Sequence, residues 1–84
     1  MMKIYDFKGK KNLCGDRLRQ ARALRKMTQS DLAAKLQIED VLVERNSISK
    51  IESGERFVAD YELAAFAKIL NVSMEWLTTE DEKI

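Results

Sequence analysis

The sequence predicts an all-α fold of five short helices, and three observations carry that expectation. Apolar residues recur at helical spacing, most clearly at Leu63, Phe66, Ala67 and Leu70, which fall at i, i+3, i+4 and i+7. Start and stop residues bracket the stripes. Thr28 and Ser73 stand where N-caps belong, and Gly54 and Asn71 stand where helices end in the left-handed conformation. Finally, 84 residues of which 45% are apolar suffice for one domain around one modest core.

Residues 1–12 precede the first helix and mix Ile4, Tyr5 and Phe7 with Lys3, Lys8, Lys10 and Lys11. They read either as a basic arm or as a tail whose aromatic residues patch the core, and the apolar trio favours the tail. Helix 1 is expected from about Asp16 to Lys26, started by Gly15-Asp16, with Leu18, Ala21 and the stem of Arg22 on one side. Arg17, Arg19 and Arg25 splay outward. Cys14 reads as a small buried or half-buried residue.

Helix 2 is expected over about Gln29 to Leu36. Thr28 caps it, Asp31 completes a capping-box variant, and Leu32, Ala33 and Leu36 form its buried stripe. Helix 3 ends just before Gly54. Ile48 and Ile51 anchor one narrow face, while Asn46, Ser49, Lys50 and Ser53 point elsewhere. A purely structural helix carries more apolar residues; this one is built to be held from behind and to present polar groups in front. Helix 4 runs from about Asp60 to Leu70, and helix 5 opens at Ser73. Residues 78–84 form an acidic tail.

Composition removes several function classes. A zinc site of histidines and cysteines cannot be assembled from no histidine and one cysteine, and neither can a Ser-His or Cys-His nucleophile pair. No metal, cofactor or enzymatic activity is expected. The lone cysteine suits a reducing cytoplasm, and neither an apolar membrane span nor a secretory h-region is present. The net charge of +1 hides an asymmetry. Residues 1–35 hold ten Lys/Arg against Asp6, Asp16 and Asp31, near +7, and residues 36–84 hold five against eleven acids, near −6. A positive half suits a polyanion such as nucleic acid; equally, two oppositely charged halves of one surface attract each other.

Arg22, Thr28-Gln29, Leu32-Ala33, the run Ile48-Ser49-Lys50-Ile51-Glu52-Ser53-Gly54 and the ending Val72-Ser73-Met74-Glu75-Trp76-Leu77 occur in order over residues 13–77. Together they resemble the phage Cro/C1-repressor-like (XRE-type) helix-turn-helix family. The resemblance implies a five-helix, lambda-repressor-like domain with helices 2 and 3 as the DNA-binding pair. One departure is visible. Leu36 and Ile48 lie twelve positions apart, about five more than a compact helix-turn-helix connection allows. A glycine expected after helix 2 is replaced by Gln37. Ile38, Val41, Leu42 and Val43 in the inserted stretch are expected to tuck over the core or to extend helix 2, with Glu39, Asp40 and Glu44 near the DNA-facing side.

What the resemblance implies for function is sequence-specific binding of double-stranded DNA by a small transcriptional regulator, a repressor by preference. Arg45, Asn46, Lys50 and Ser49 take the base-facing positions. Gln29, Ser53 and Arg56 take the phosphate-facing ones. Arg22 and Glu52 are expected to form a structural ion pair between helices 1 and 3, and the Trp76-Leu77 end to form the two-fold surface of a homodimer on a near-palindromic operator. The rival reading is a protein-interaction module, such as the antitoxin of a toxin–antitoxin pair, favoured by the acidic insertion and the near-neutral net charge.

Overall fold

The structure is a computed structural model and describes residues 7–80. Within them the fold is all-helical: α1 is Gly15–Leu24, α2 Gln29–Ile38, α3 Arg45–Glu52, α4 Asp60–Leu70 and α5 Met74–Leu77. An isolated bridge between Phe7 and Lys10 is the one extended pairing among these residues. Ile4 and Tyr5, assigned above to a core-patching tail, lie outside them, as do the last four residues of the acidic tail.

Side chains cap most of the helix starts. The Thr28 hydroxyl accepts from Asp31 N at 3.0 Å and the Asp31 carboxylate accepts from Thr28 N at 2.9 Å, a reciprocal box at the start of α2. Ser73 accepts from Trp76 N at 2.9 Å for α5. At α4 the box is half built: Glu62 accepts from Ala59 N at 3.1 Å, and alanine has no group to return the bond. The cap of α1 comes from outside the expected Gly15-Asp16 signal. Asn12 Oδ1 accepts the Gly15 N–H at 2.8 Å.

Four helices end alike, although the chain supplies a glycine for one of them. Lys26, Asp40, Gly54 and Asn71 all adopt positive φ, between 56° and 83°. Each is flanked by the paired turn bonds that satisfy a helix's last carbonyls, as in Met27 N to Arg22 O and Val41 N to Leu36 O. This explains two departures from the expected boundaries. α1 stops at Leu24 because Lys26 turns left-handed. α2 continues past Leu36 to Ile38 because its left-handed stop is Asp40, three residues beyond Gln37.

The core gathers Leu18 and Ala21 of α1, Leu32 and Leu36 of α2, Ile48 and Ile51 of α3, Phe66 and Leu70 of α4, and Leu77 of α5. The inserted stretch divides. Val43 is buried and Val41 half-buried, but Ile38 and Leu42 are 80% and 76% exposed. They do not tuck over the core, because Val41 and Val43 already occupy the inward positions of a short extended segment. Leu77 requires a second correction. It is wholly buried within its own chain, so it cannot form a two-fold surface; a helix of one turn sends its last leucine inward. Arg17 lies over the Trp76 ring at 4.5 Å rather than splaying into solvent. Arg25 stays exposed as expected, and it donates through Nε to Leu70 O at 2.9 Å at the C-terminus of α4.

Gly15 marks the closest approach of α1 to α3: a Cβ there would collide with the carbonyl oxygen of Ile51. Gly15→Ala is therefore expected to destabilise by about 1–3 kcal/mol, although alanine is the better helix former by about 1 kcal/mol. Lys26→Gly, at a left-handed position, is expected to stabilise by about 0.5–1 kcal/mol. Urea denaturation of the two variants checks both signs.

Candidate nucleic-acid interface

At about 100° per residue, the side chains of α3 separate into two faces. Ile48, Ile51 and Glu52 are buried and Ser47 is half-buried. Asn46, Ser49, Lys50 and Ser53 are exposed on the other side, and Arg45, the first residue of the helix, is exposed beside the buried face. Among the described residues, the side chains of Arg45, Asn46, Ser49 and Lys50 make no hydrogen bond or ion pair. α3 thus presents two cations, an amide and a hydroxyl with all their hydrogen-bonding capacity available.

Burial of Glu52 holds that face in place. Its side chain is only 5% exposed and that of Arg22 17%. Arg22 Nε donates to Glu52 Oε2 at 2.8 Å and Nη2 donates to Oε1 at 3.0 Å, a two-pronged pair between α1 and α3. Arg22 Nη1 also donates to Met27 O at 2.8 Å, in the turn that leads to α2. Gln29 Nε2 completes the arrangement by donating to Glu52 Oε1 at 3.2 Å. One buried carboxylate therefore ties α3 to the ends of both helices packed behind it. Hydrogen bonding to Glu52 raises the Arg22 pKa above its ordinary value, so the guanidinium stays charged.

The remaining expected site residues are more occupied than their sequence positions suggest. Gln29 is half-buried with its amide on Glu52. The Ser53 hydroxyl lies 2.6 Å from a Glu55 carboxylate oxygen and 3.1 Å from Lys50 O. Arg56 is not a free cation. Its two terminal nitrogens donate to the two oxygens of Glu62 at 3.0 Å each, and Nη1 also donates to Phe57 O at 3.1 Å. Of the three acids in the insertion, Glu39 turns to Lys68 of α4 at 2.6 Å, while Asp40 and Glu44 stay exposed.

One organising residue has no signal in the sequence. Asn12 Nδ2 donates to Ile51 O at 2.9 Å and to Arg56 O at 2.8 Å, clamping the end of α3 to the loop after it. No group of three or more His, Cys, Asp or Glu among the described residues is placed to hold a metal ion. The Cys14 thiol is buried, which pushes its pKa up to about 11 and leaves it unreactive at neutral pH. None of the described helices is long and apolar enough to cross a membrane.

Comparison with known proteins agrees with this geometry. The model of a helix-turn-helix family matches residues 18–77. Among solved structures, the chain is similar to the restriction-modification controller protein C.AhdI from Aeromonas hydrophila, with a TM-score of 0.65 and 25% sequence identity. That alignment covers 75% of this chain and 84% of the controller protein. No protein of curated function matches.

Two predictions arise from the charged network. Removing one partner strands the other in a low-dielectric setting, so Arg22→Met and Glu52→Gln should each cost about 3 kcal/mol, the lower end expected for buried pairs. The double variant should cost clearly less than the sum, as a double-mutant cycle by chemical denaturation will show. The second concerns pH. Burial raises the Glu62 pKa, but hydrogen bonds from Arg56 and Ala59 and the Arg56 charge outweigh it, leaving it below its ordinary value of 4.5. A lowered folded-state pKa gives stability that is present above the unfolded value and lost as pH falls through the folded one. With no histidine to titrate, the denaturation midpoint should be flat between about pH 5.5 and 8. It should fall below about pH 4, and less steeply in Glu62→Gln.

Proposed function

The chain belongs to the helix-turn-helix family, of the Cro/C1 type, and on that premise we propose that it binds double-stranded DNA sequence-specifically as a small transcriptional regulator. One observation carries the proposal: α3 exposes four polar side chains without a hydrogen-bond partner among the described residues, Asn46, Ser49 and Lys50 away from the buried Ile48, Ile51 and Glu52 and Arg45 at its first turn. The likeness to a restriction-modification controller protein supports a regulatory role.

In this reading α3 enters the major groove by its N-terminal end. Arg45 and Lys50 match guanine O6 and N7, Asn46 matches adenine N6 and N7, and Ser49 suits either. Gln29 remains a good phosphate ligand. An amide nitrogen carries two protons; one goes to Glu52 and fixes the side chain, leaving the other for DNA. Ser53 must leave Glu55 to reach a phosphate. Arg56 brings a charge that Glu62 largely neutralises, so its electrostatic share is below that of a free cation. Two copies on a near-palindrome supply the affinity that one small domain lacks. Homodimerisation, weak off DNA, would use the parts of α5 still exposed: Met74 and the outer edge of Trp76. Repression by occupying a promoter is the simplest consequence.

The rival interaction-module reading draws on Ile38 and Leu42, which stand in solvent beside Asp40 and Glu44. Retention of the protein on duplex DNA with a steep salt dependence separates the two readings.

Selection of bound sequences from a random duplex library tests the proposal. The wild type should enrich a motif, and Asn46→Ala should lose about 1–3 kcal/mol of discrimination at one base position. Its thermal stability should be unchanged, because the Asn46 side chain is exposed and makes no hydrogen bond among the described residues. If no motif is enriched, or if Asn46→Ala reads the same motif with equal preference, α3 is not a reading helix.

A further inference from the structure

Residues 7–12, part of the 1–12 stretch read as either a basic arm or a core-patching tail, form a built element. Phe7 N donates to Lys10 O at 2.6 Å and Lys10 N to Phe7 O at 2.9 Å. Lys8 and Gly9 between them take φ of 53° and 81°, the geometry of a tight two-residue hairpin. The hairpin is fastened to the turn that ends α3. Lys11 N donates to Gly54 O at 2.8 Å. Asn12 holds Ile51 O and Arg56 O on either side of it. The stem of Lys10 lies so close to Gly54 that a Cβ there would come within 2.9 Å of its Cγ. Three lysines are thus carried on the same short segment, 51–56, that holds Ser53 and Arg56.

We propose that this hairpin is a second phosphate-binding element, with Lys11 and Lys10 extending the DNA contact beyond the C-terminal end of α3. The inference rests on the DNA-binding reading of α3 and adds to it a set of cations outside the helix-turn-helix itself. The Lys11 side chain is exposed and has no partner among the described residues. Lys10 reaches Asp16 at 3.4 Å and Lys8 reaches Glu80 at 3.1 Å, but these pairs are half or more exposed. Such pairs contribute little in water and yield readily to a phosphate. The hairpin is bonded to the α3–α4 turn through the backbone carbonyls of Ile51, Gly54 and Arg56. A duplex that extends past the C-terminal end of α3 to the hairpin would meet lysines whose backbone is already fastened to that turn.

The competing explanation is local: cations near a helix C-terminus stabilise its dipole. Full-length Lys11→Gln and Lys10→Gln/Lys11→Gln, with Lys11→Arg as the charge-keeping control, separate the two. Binding is measured by fluorescence anisotropy on the selected duplex and on a scrambled one, across a salt series. Both duplexes should weaken by the same factor, and the slope of log K against log salt should fall by about 0.9 for each lysine removed. Melting temperature and base preference should not change, and Lys11→Arg should bind as the wild type does. An unchanged slope in the glutamine variants, with or without a lowered melting temperature, overturns the hairpin's role and leaves the α3 reading intact. A wild type that binds neither duplex overturns both.

Discussion

Glu52 is a carboxylate that α3 buries beside two isoleucines, and the rest of the domain is arranged to answer that charge. An uncompensated ion there would cost several kcal/mol. Arg22 must therefore reach it from α1, which fixes how α1 crosses α3. Arg22 also holds the Met27 carbonyl, and Gln29 joins from the first turn of α2. The three helices become one unit around one charge. The outward direction of Arg45, Asn46, Ser49 and Lys50 follows, since a helix whose inner face is locked has no freedom to rotate its outer one. Gly15 makes this crossing close enough by leaving room for the Ile51 carbonyl.

What could be read from the sequence was what acts locally or repeats with helical period. The Thr28–Asp31 box, the α4 stripe and the two isoleucines of α3 belong to this class. So does the outward face of α3, which is simply what the isoleucines leave over. The Arg22–Glu52 pairing rested on two isolated charges, each on an otherwise apolar side, together with the family resemblance. Interactions that end on backbone carbonyls escaped notice. Asn12 and Arg25 bond to carbonyls 39 to 46 positions away, and no residue pattern announces such a partner. Arg56 read as a free cation because Glu62 meets it only after the chain turns into α4. Leu77 fits a core residue by type, and its place on a two-fold surface was implied only by the family resemblance, which burial within its own chain excludes.

The insertion between α2 and α3 shows how a departure from a compact motif is absorbed. The helix gains half a turn, Asp40 takes the left-handed stop, and Val41 and Val43 line the inner side of an extended segment. Glu39 is drawn off to Lys68. Two acids rather than three then remain near the start of α3, and the hairpin lysines lie at its other end.

The central claim is that the outer face of α3 is a rigid DNA-reading surface held by the network behind it. Titration of the isotope-labelled protein with its selected duplex, followed amide by amide, tests this most directly. Perturbations should concentrate on residues 45–50 and on the first turn of α2. The amide of Ile51 and the Arg22 Nε–H signal bonded to Glu52 should hold their positions. Perturbations confined to α4 and α5, with residues 45–50 unmoved at saturation, would contradict the account.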